Sequence, residues 1–173
     1  MLKAPKFWYQ KKDTYLSMSL YPLSLLFRFG TKIRNLVSTK QQSSLPIICI
    51  GNIVVGGAGK TPVSLKMGKL LIKAGYKPHF ISKGYAGLIK KSTLVQSWHS
   101  AISVGDESIL LSKVAPTWIG EDRIYSSKLA KKEGSDCLIM DDGFQNPTIQ
   151  KDFSIIVINA KQEFGNKRVM PSG

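Results

Sequence analysis

Residues 51–62 read G-N-I-V-V-G-G-A-G-K-T-P and follow the apolar run Leu45 to Ile50. Glycines at 56, 57 and 59 let successive amides turn toward one point. The Lys60 ammonium can reach outer phosphates as a point charge, and the Thr61 hydroxyl can hold a magnesium ion. Val54, Val55, Gly56, Gly57, Ala58, Gly59, Lys60 and Thr61 therefore form a candidate loop for the phosphates of a nucleoside triphosphate. The opening glycine of the usual pattern is replaced by Val54, and a Gly-Gly-Ala-Gly run alone also suits a plain turn. The position of Gly-Lys-Thr, after an apolar strand and before a helix, favours the phosphate loop.

A second chemical signal is the run Cys137-Leu138-Ile139-Met140 followed by Asp141-Asp142-Gly143-Phe144-Gln145. Four apolar residues ending in acids deliver a carboxylate to the metal and water beside a phosphate loop. Two acids before a glycine can also simply open a turn. A third acid, Asp106, stands in Gly105-Asp106-Glu107 at the start of a helical apolar pattern, where a helix N-cap is the simpler reading. Cys49 and Cys137 lie in apolar runs without metal-ligand spacing to each other or to His79 and His99, as expected of buried thiols in a reducing compartment. Neither histidine falls in a motif.

The elements needed to position these groups alternate. A strand over 45–50 leads through the glycine loop into a helix from Lys60 to Ala74, with Pro62 in the first turn and Gly75 at the stop. Residues 77–82 read as a strand, and Lys83-Gly84-Tyr85-Ala86-Gly87 as a loop at its carboxyl end, where open α/β sheets bind ligands. Residues 88–104 read as irregular structure or a short hairpin. A helix then runs to Pro116, a strand covers Thr117-Trp118-Ile119, a helix spans Asp122 to Glu133, and strands follow at 137–140 and, buried, at 153–159. Such alternation predicts an α/β fold of the phosphate-loop NTPase type, a mostly parallel sheet with helices on both faces. After the last strand, Asn159-Ala160-Lys161-Gln162 lacks the N-K-x-D run of guanine-specific proteins, which leaves guanine specificity unsupported.

Charge is uneven. Residues 1–105 carry sixteen Lys and Arg against the single acid Asp13, and 106–173 carry nine against ten, within a chain of net charge +14. A basic half attracts polyanions. Nucleic acid is disfavoured as the partner, because zinc-ligand spacing, basic heptads and aromatic RNA-binding signatures are all missing.

Thr14 to Phe27 is uncharged and flanked by Lys3, Lys6, Lys11, Lys12, Arg28, Lys32 and Arg34. As a helix it would span about 21 Å at ~1.5 Å per residue, short of a bilayer core of ~30 Å. No small-residue cleavage site follows it, against a signal peptide. The expectation is a helix lying on an anionic membrane surface, with Trp8, Tyr9, Tyr15 and Tyr21 at headgroup level; a helix packed on the core is the alternative. The predicted organisation is a basic membrane-associated region over 1–44 and a phosphate-loop core over 45–173.

Taken in order, the F-W-Y start with its basic-flanked apolar segment, G-N-I-V-V-G-G-A-G-K-T-P, K-G-Y, G-D-E, D-D-G-F-Q-N and F-G-N-K-R-V-M-P-S-G closely resemble the tetraacyldisaccharide 4'-kinase (lipid A 4'-kinase) family over residues 1–173. The resemblance implies transfer of the γ-phosphate of ATP, with Mg2+, to the 4'-hydroxyl of a lipid A precursor disaccharide at the cytoplasmic face of the bacterial inner membrane. It further implies that residues 54–61 hold the ATP phosphates, Lys60 stabilises transferred charge, and Thr61 and Asp141 place magnesium. Asp106 would take the hydroxyl proton with Asp142 in support, reversing the capping reading, and Glu107, Gln145 and Arg168 would contact substrate.

Two departures accompany the resemblance. Lys83 stands where the family usually has arginine, and a lysine does not replace a bidentate guanidinium. The sequence also stops at Gly173, where relatives continue into a second lobe. The expectations are that the sequence is a fragment or split-gene product, that a separately encoded lobe completes the site, or that the chain is a non-catalytic remnant that binds membrane and ATP. Exposed apolar surface, marginal stability and self-association are expected in either case.

Overall fold

The computed structural model describes residues 5–10, 14–54, 58–160 and 163–173. Their described parts divide into two units, one drawn from 1–39, 53–58 and 158–173, the other from 40–52 and 59–157.

The second unit holds a six-stranded sheet. Its strands are β1 (Ile47–Gly51), β2 (Pro78–Ser82), β3 (Thr93–Leu94), β4 (Thr117–Ile119), β5 (Cys137–Asp141) and β6 (Phe153–Ile156), in the spatial order β3-β4-β2-β5-β1-β6. All neighbours pair in parallel except β3 with β4. The helices of this unit are α3 (Lys60–Lys73), α4 (Ala101–Val104), α5 (Asp106–Ser112) and α6 (Arg123–Lys132).

Side-chain alternation along the strands builds two cores. On one face Cys49, Ile81, Leu138 and Met140 pack with Ala130, Ile124 and Leu129 of α6. On the other, Ile50, Phe80 and Ile139 pack with Leu111 of α5 and with Val63, Met67 and Leu71 of α3. Every residue of β2 and β5 is buried, as strands covered on both faces must be. Gly68 lets α3 approach β2, since a Cβ there would lie 2.6 Å from Cζ of Phe80.

Three expectations change. The 88–104 stretch contains β3, antiparallel to β4, and the short helix α4. Asp106 is the first residue of α5, and Gly105, at φ +87°, is the N-cap. The last strand ends at Ile156 and is not buried. As the edge strand it pairs, among the described residues, only with β1, and Phe153 is 69% exposed.

In the first unit, the single helix expected over 14–27 is two helices, α1 (Tyr15–Ser19) and α2 (Tyr21–Val37), with the break at Leu20. Thr14 caps α1 by accepting from the Ser17 amide, and Pro22 in the first turn suits the start of α2. The longer helix carries Arg28, Lys32 and Arg34 beyond the uncharged stretch. Leu26, Phe29, Leu36 and Val37 are exposed along it. No helix among the described residues is long and apolar enough to cross a membrane. Lys3, Lys11, Lys12 and the Lys6 side chain, expected as its basic flank, lie outside the described residues, as do Asp13, Lys161 and Gln162.

The carboxyl end of the first unit is bound to these helices through three serines. Ser172, fully buried, donates its hydroxyl to the Ser17 carbonyl at 2.6 Å and its amide to Ser24 Oγ at 3.0 Å. Ser24 Oγ in turn donates to the Val169 carbonyl at 2.7 Å.

Candidate functional site

The carboxyl ends of β1 and β5 meet the amino end of α3, because parallel pairing sets Ile50 beside Asp141. Gly59 turns the chain into α3 at φ +84°, a left-handed conformation that glycine adopts without a Cβ penalty. No side chain caps that helix start, so its first amides remain donors for an anion. Val55, Gly56 and Gly57 lie outside the described residues. Val54 and Ala58 are half-buried and belong to the first unit.

Lys60 heads α3 and is tethered twice. Its Nζ donates to Asn52 Oδ1 at 3.0 Å and stands 3.4 Å from Asp142 Oδ1. One turn further, Ser64 Oγ donates to Asp141 Oδ1 at 2.6 Å. The second carboxylate oxygen of Asp141 is buried with no hydrogen-bond partner among the described residues. Burial pushes the Asp141 carboxyl above the usual carboxylate range, against the opposing pull of the Ser64 hydrogen bond. A buried carboxylate with one free oxygen is costly unless a cation meets it, so Asp141 Oδ2 fits a magnesium ligand.

Asp142 has φ +52°, with its amide donating to the Ile50 carbonyl at 2.9 Å. The turn places its side chain in solvent beside Lys60, while Asp141 points into the α3 face.

The α5 amino end adds two acids. Gly105 fits because a Cβ there would lie 2.6 Å from the Tyr85 carbonyl oxygen, so the loop leaving β2 and the start of α5 touch backbone to backbone. Asp106 is exposed, and its Oδ1 accepts from the Glu107 amide at 2.9 Å. Burial raises the Glu107 carboxyl, and the charge of Asp141 raises it further while Lys60 lowers it. Glu107 therefore shares the electrostatic field of the Lys60 and Asp141 cluster. Gln145 is exposed on the loop after β5. Arg168 belongs to the first unit, where its guanidinium lies over the Tyr21 ring, 5.2 Å from the centroid.

Sequence reasoning missed Asn52, Ser64, Arg123 and Lys151. Ser64 was findable, since it lies four residues after Lys60 and shares its helix face. Arg123 is buried at the start of α6 with one terminal nitrogen unpartnered among the described residues, and burial lowers its pKa. Nothing in the local pattern marks it as different from a surface cation.

A mostly parallel α/β sheet with a glycine turn, lysine and acids gathered at its strand ends defines a mixed α/β domain of the open-sheet class. The model of the Tetraacyldisaccharide-1-P 4'-kinase family matches residues 16–173. The chain belongs to that family. It is 42% identical over 99% of its length to the tetraacyldisaccharide 4'-kinase of Paramagnetospirillum magneticum, and 41% identical over 99% to that of a Jannaschia species. These matches cover 53% and 52% of the relatives, so the chain spans about half the length of the curated relatives it matches. Among solved structures, the "apo" form LpxK from Aquifex aeolicus in complex with ATP superimposes with a TM-score of 0.78. It shares 28% identity and is matched over 91% of this chain and 53% of its own.

Proposed function

We propose that this chain carries the nucleotide-binding half of a lipid kinase, which transfers the γ-phosphate of ATP to the 4'-hydroxyl of tetraacyldisaccharide 1-phosphate. The observation that carries the reading is the pairing at one strand end of Lys60, tethered by Asn52 and Asp142, with Asp141, whose free oxygen is buried. Family membership supplies the substrate class.

Residues 54–61 cradle the triphosphate, and Lys60 offsets negative charge on the phosphoryl group in flight. Asp141 and Thr61 hold magnesium, which when bound neutralises phosphate oxygens. Asp106 accepts the proton of the sugar hydroxyl as its oxygen bonds to the γ-phosphorus and the bond to the bridging oxygen breaks, releasing ADP. Asp142 supports that proton transfer through its place beside Lys60. Glu107 and Gln145 contact the disaccharide, and Arg168 of the first unit neutralises a substrate phosphate. Such chemistry asks mainly for positioning and fixed charge, which buried strand ends provide.

The first unit supports a lipid substrate and a peripheral place on the cytoplasmic face of the inner membrane. Its α2 exposes leucines and phenylalanines beside Arg28, Lys32 and Arg34, the mixture that suits an anionic bilayer surface. A cavity of about 710 Å³ in this unit is lined by Met18, Tyr21, Leu25, Arg28, Lys167 and Arg168 among others, apolar groups and cations suited to an acylated phosphate.

The test is transfer of labelled γ-phosphate to tetraacyldisaccharide 1-phosphate in mixed micelles, with and without a polypeptide carrying the remaining half of the family. Product that vanishes in Lys60→Ala and Asp106→Ala supports the reading. Absence of product in both settings sinks it.

A further inference from the structure

The run after β5, D-D-G-F-Q-N, carries both acids of the site, and its backbone is gripped by a side chain the proposed chemistry does not use. Nζ of Lys151 donates to the Asn146 carbonyl at 2.6 Å and to the Phe144 carbonyl at 3.0 Å. A lysine bridging two carbonyls two residues apart fixes the turn between them, and burial pushes its ammonium below the usual 10.5. The turn is closed by the Asn146 amide donating to the Gly143 carbonyl at 3.1 Å. Asn146 Oδ1 accepts from the Thr148 amide at 2.8 Å, joining the turn to the segment that leads through Lys151 into β6.

The opposite side of the run is tightly packed. A Cβ at Gly51 would lie 2.5 Å from Cβ of Phe144, and one at Gly143 would lie 3.2 Å from a terminal nitrogen of the buried Arg123. The run thus sits between β1, the Arg123 guanidinium and the Lys151 ammonium. Neither cation is satisfied by a carboxylate at hydrogen-bond distance among the described residues, and Lys151 is satisfied by backbone of the run itself.

We propose that Lys151 is a positioning residue for Asp141 and Asp142. By holding the Phe144 and Asn146 carbonyls it locks the turn that leaves Asp142 left-handed beside Lys60 and Asp141 facing α3. This rests on the reading that these acids serve magnesium and ATP. The role differs from general packing because it acts on two carbonyls of one loop, and an apolar stem of equal length cannot replace it.

Two measurements on the full chain test it: amide hydrogen exchange across residues 142–146 without nucleotide, and ATP affinity by titration calorimetry with and without Mg2+. In Lys151→Met, exchange in that run should rise at least tenfold. The Mg2+-dependent gain in ATP affinity should fall at least tenfold, while Mg2+-free affinity stays within about twofold. Lys151→Arg should recover at least half of both losses. Unchanged loop exchange, or a lower melting temperature with the Mg2+ gain intact, overturns the proposal. If the native chain binds ATP without any Mg2+ gain, the nucleotide reading of the acids fails and the exchange comparison alone decides whether Lys151 holds the turn. Lys151→Gln, whose shorter and uncharged amide does not reproduce the ammonium bridge between the two carbonyls, takes the place of Lys151→Met if the latter loses the native circular dichroism spectrum.

Discussion

Ser64 Oγ donates to one oxygen of Asp141 and leaves the other buried without a partner among the described residues. The folded protein therefore holds a carboxylate that burial disfavours in its charged form. With the folded pKa raised above the usual 3.8, the native state keeps its proton while the unfolded chain releases it, so stability falls as pH rises from 3.8 through the raised value. Asp141→Asn should raise the melting temperature of the metal-free protein at pH 7 by a few degrees and flatten that acid-range dependence. The same variant should lose stabilisation by ATP with Mg2+. A scan of melting temperature against pH, with and without nucleotide, reads both effects.

Lys60 owes its direction to Asn52 as well as to its helix. Removing a single side-chain acceptor costs about 1 kcal/mol. Asn52→Ala should therefore weaken ATP binding by roughly three- to tenfold without changing the fold, as read by titration calorimetry alongside circular dichroism. Lys60→Ala should lose far more. Equal affinity of Asn52→Ala and the native chain would show that the tether is incidental.

His79 lies in the core, where its Nδ1 accepts from Trp118 Nε1 at 3.2 Å. Burial depresses its pKa below the usual 6.5, only partly offset by the charges of Glu133 and Asp136. The unfolded chain thus takes up the proton first as pH falls, and the stability tied to neutral His79 is present above 6.5 and lost as pH drops through the folded value. A shift of Trp118 fluorescence with that loss is expected, because a protonated Nδ1 no longer accepts. His79→Phe should remove the pH dependence from this window, measured by denaturant midpoints between pH 7.5 and 5.

The serine cluster of the first unit should fail as a group. Ser172→Ala deletes a buried donor to the Ser17 carbonyl and leaves that oxygen unpaired, a change of about 1–3 kcal/mol. Proteolysis within 163–173 should accelerate in Ser172→Ala and in Ser24→Ala alike, whereas Ser19→Ala, on an exposed hydroxyl bonded only within its helix, should leave it unchanged.

Much of this protein follows from local pattern. Glycines at a strand exit, Gly-Lys-Thr at a helix start, short continuous apolar runs and period-3.6 patterns marked β1, α3, β2, β4, α6 and β5 to within a residue or two, because strands covered on both faces must be apolar throughout and helices bury one face. The acids of D-D-G-F-Q-N stood out at the end of an apolar run, whereas Asp106 of G-D-E read locally as a helix cap and gained a site role only from the family resemblance. What only the tertiary structure decided are pairings between distant segments. Parallel register brings Ile50 beside Asp141, and with it Ser64 of α3 to Asp141; the shorter-range contacts of Lys60 with Asn52 and of Lys151 with the Phe144 carbonyl depend in turn on how the loops between them fold. Periodicity along a strand states which residues are buried, but it is silent on which strand becomes the edge, so β6 reads as buried while its Phe153 faces solvent. The break at Leu20 and the run of α2 past the charged flank were likewise invisible to hydropathy, since a basic side chain costs little on a helix whose other face it leaves untouched.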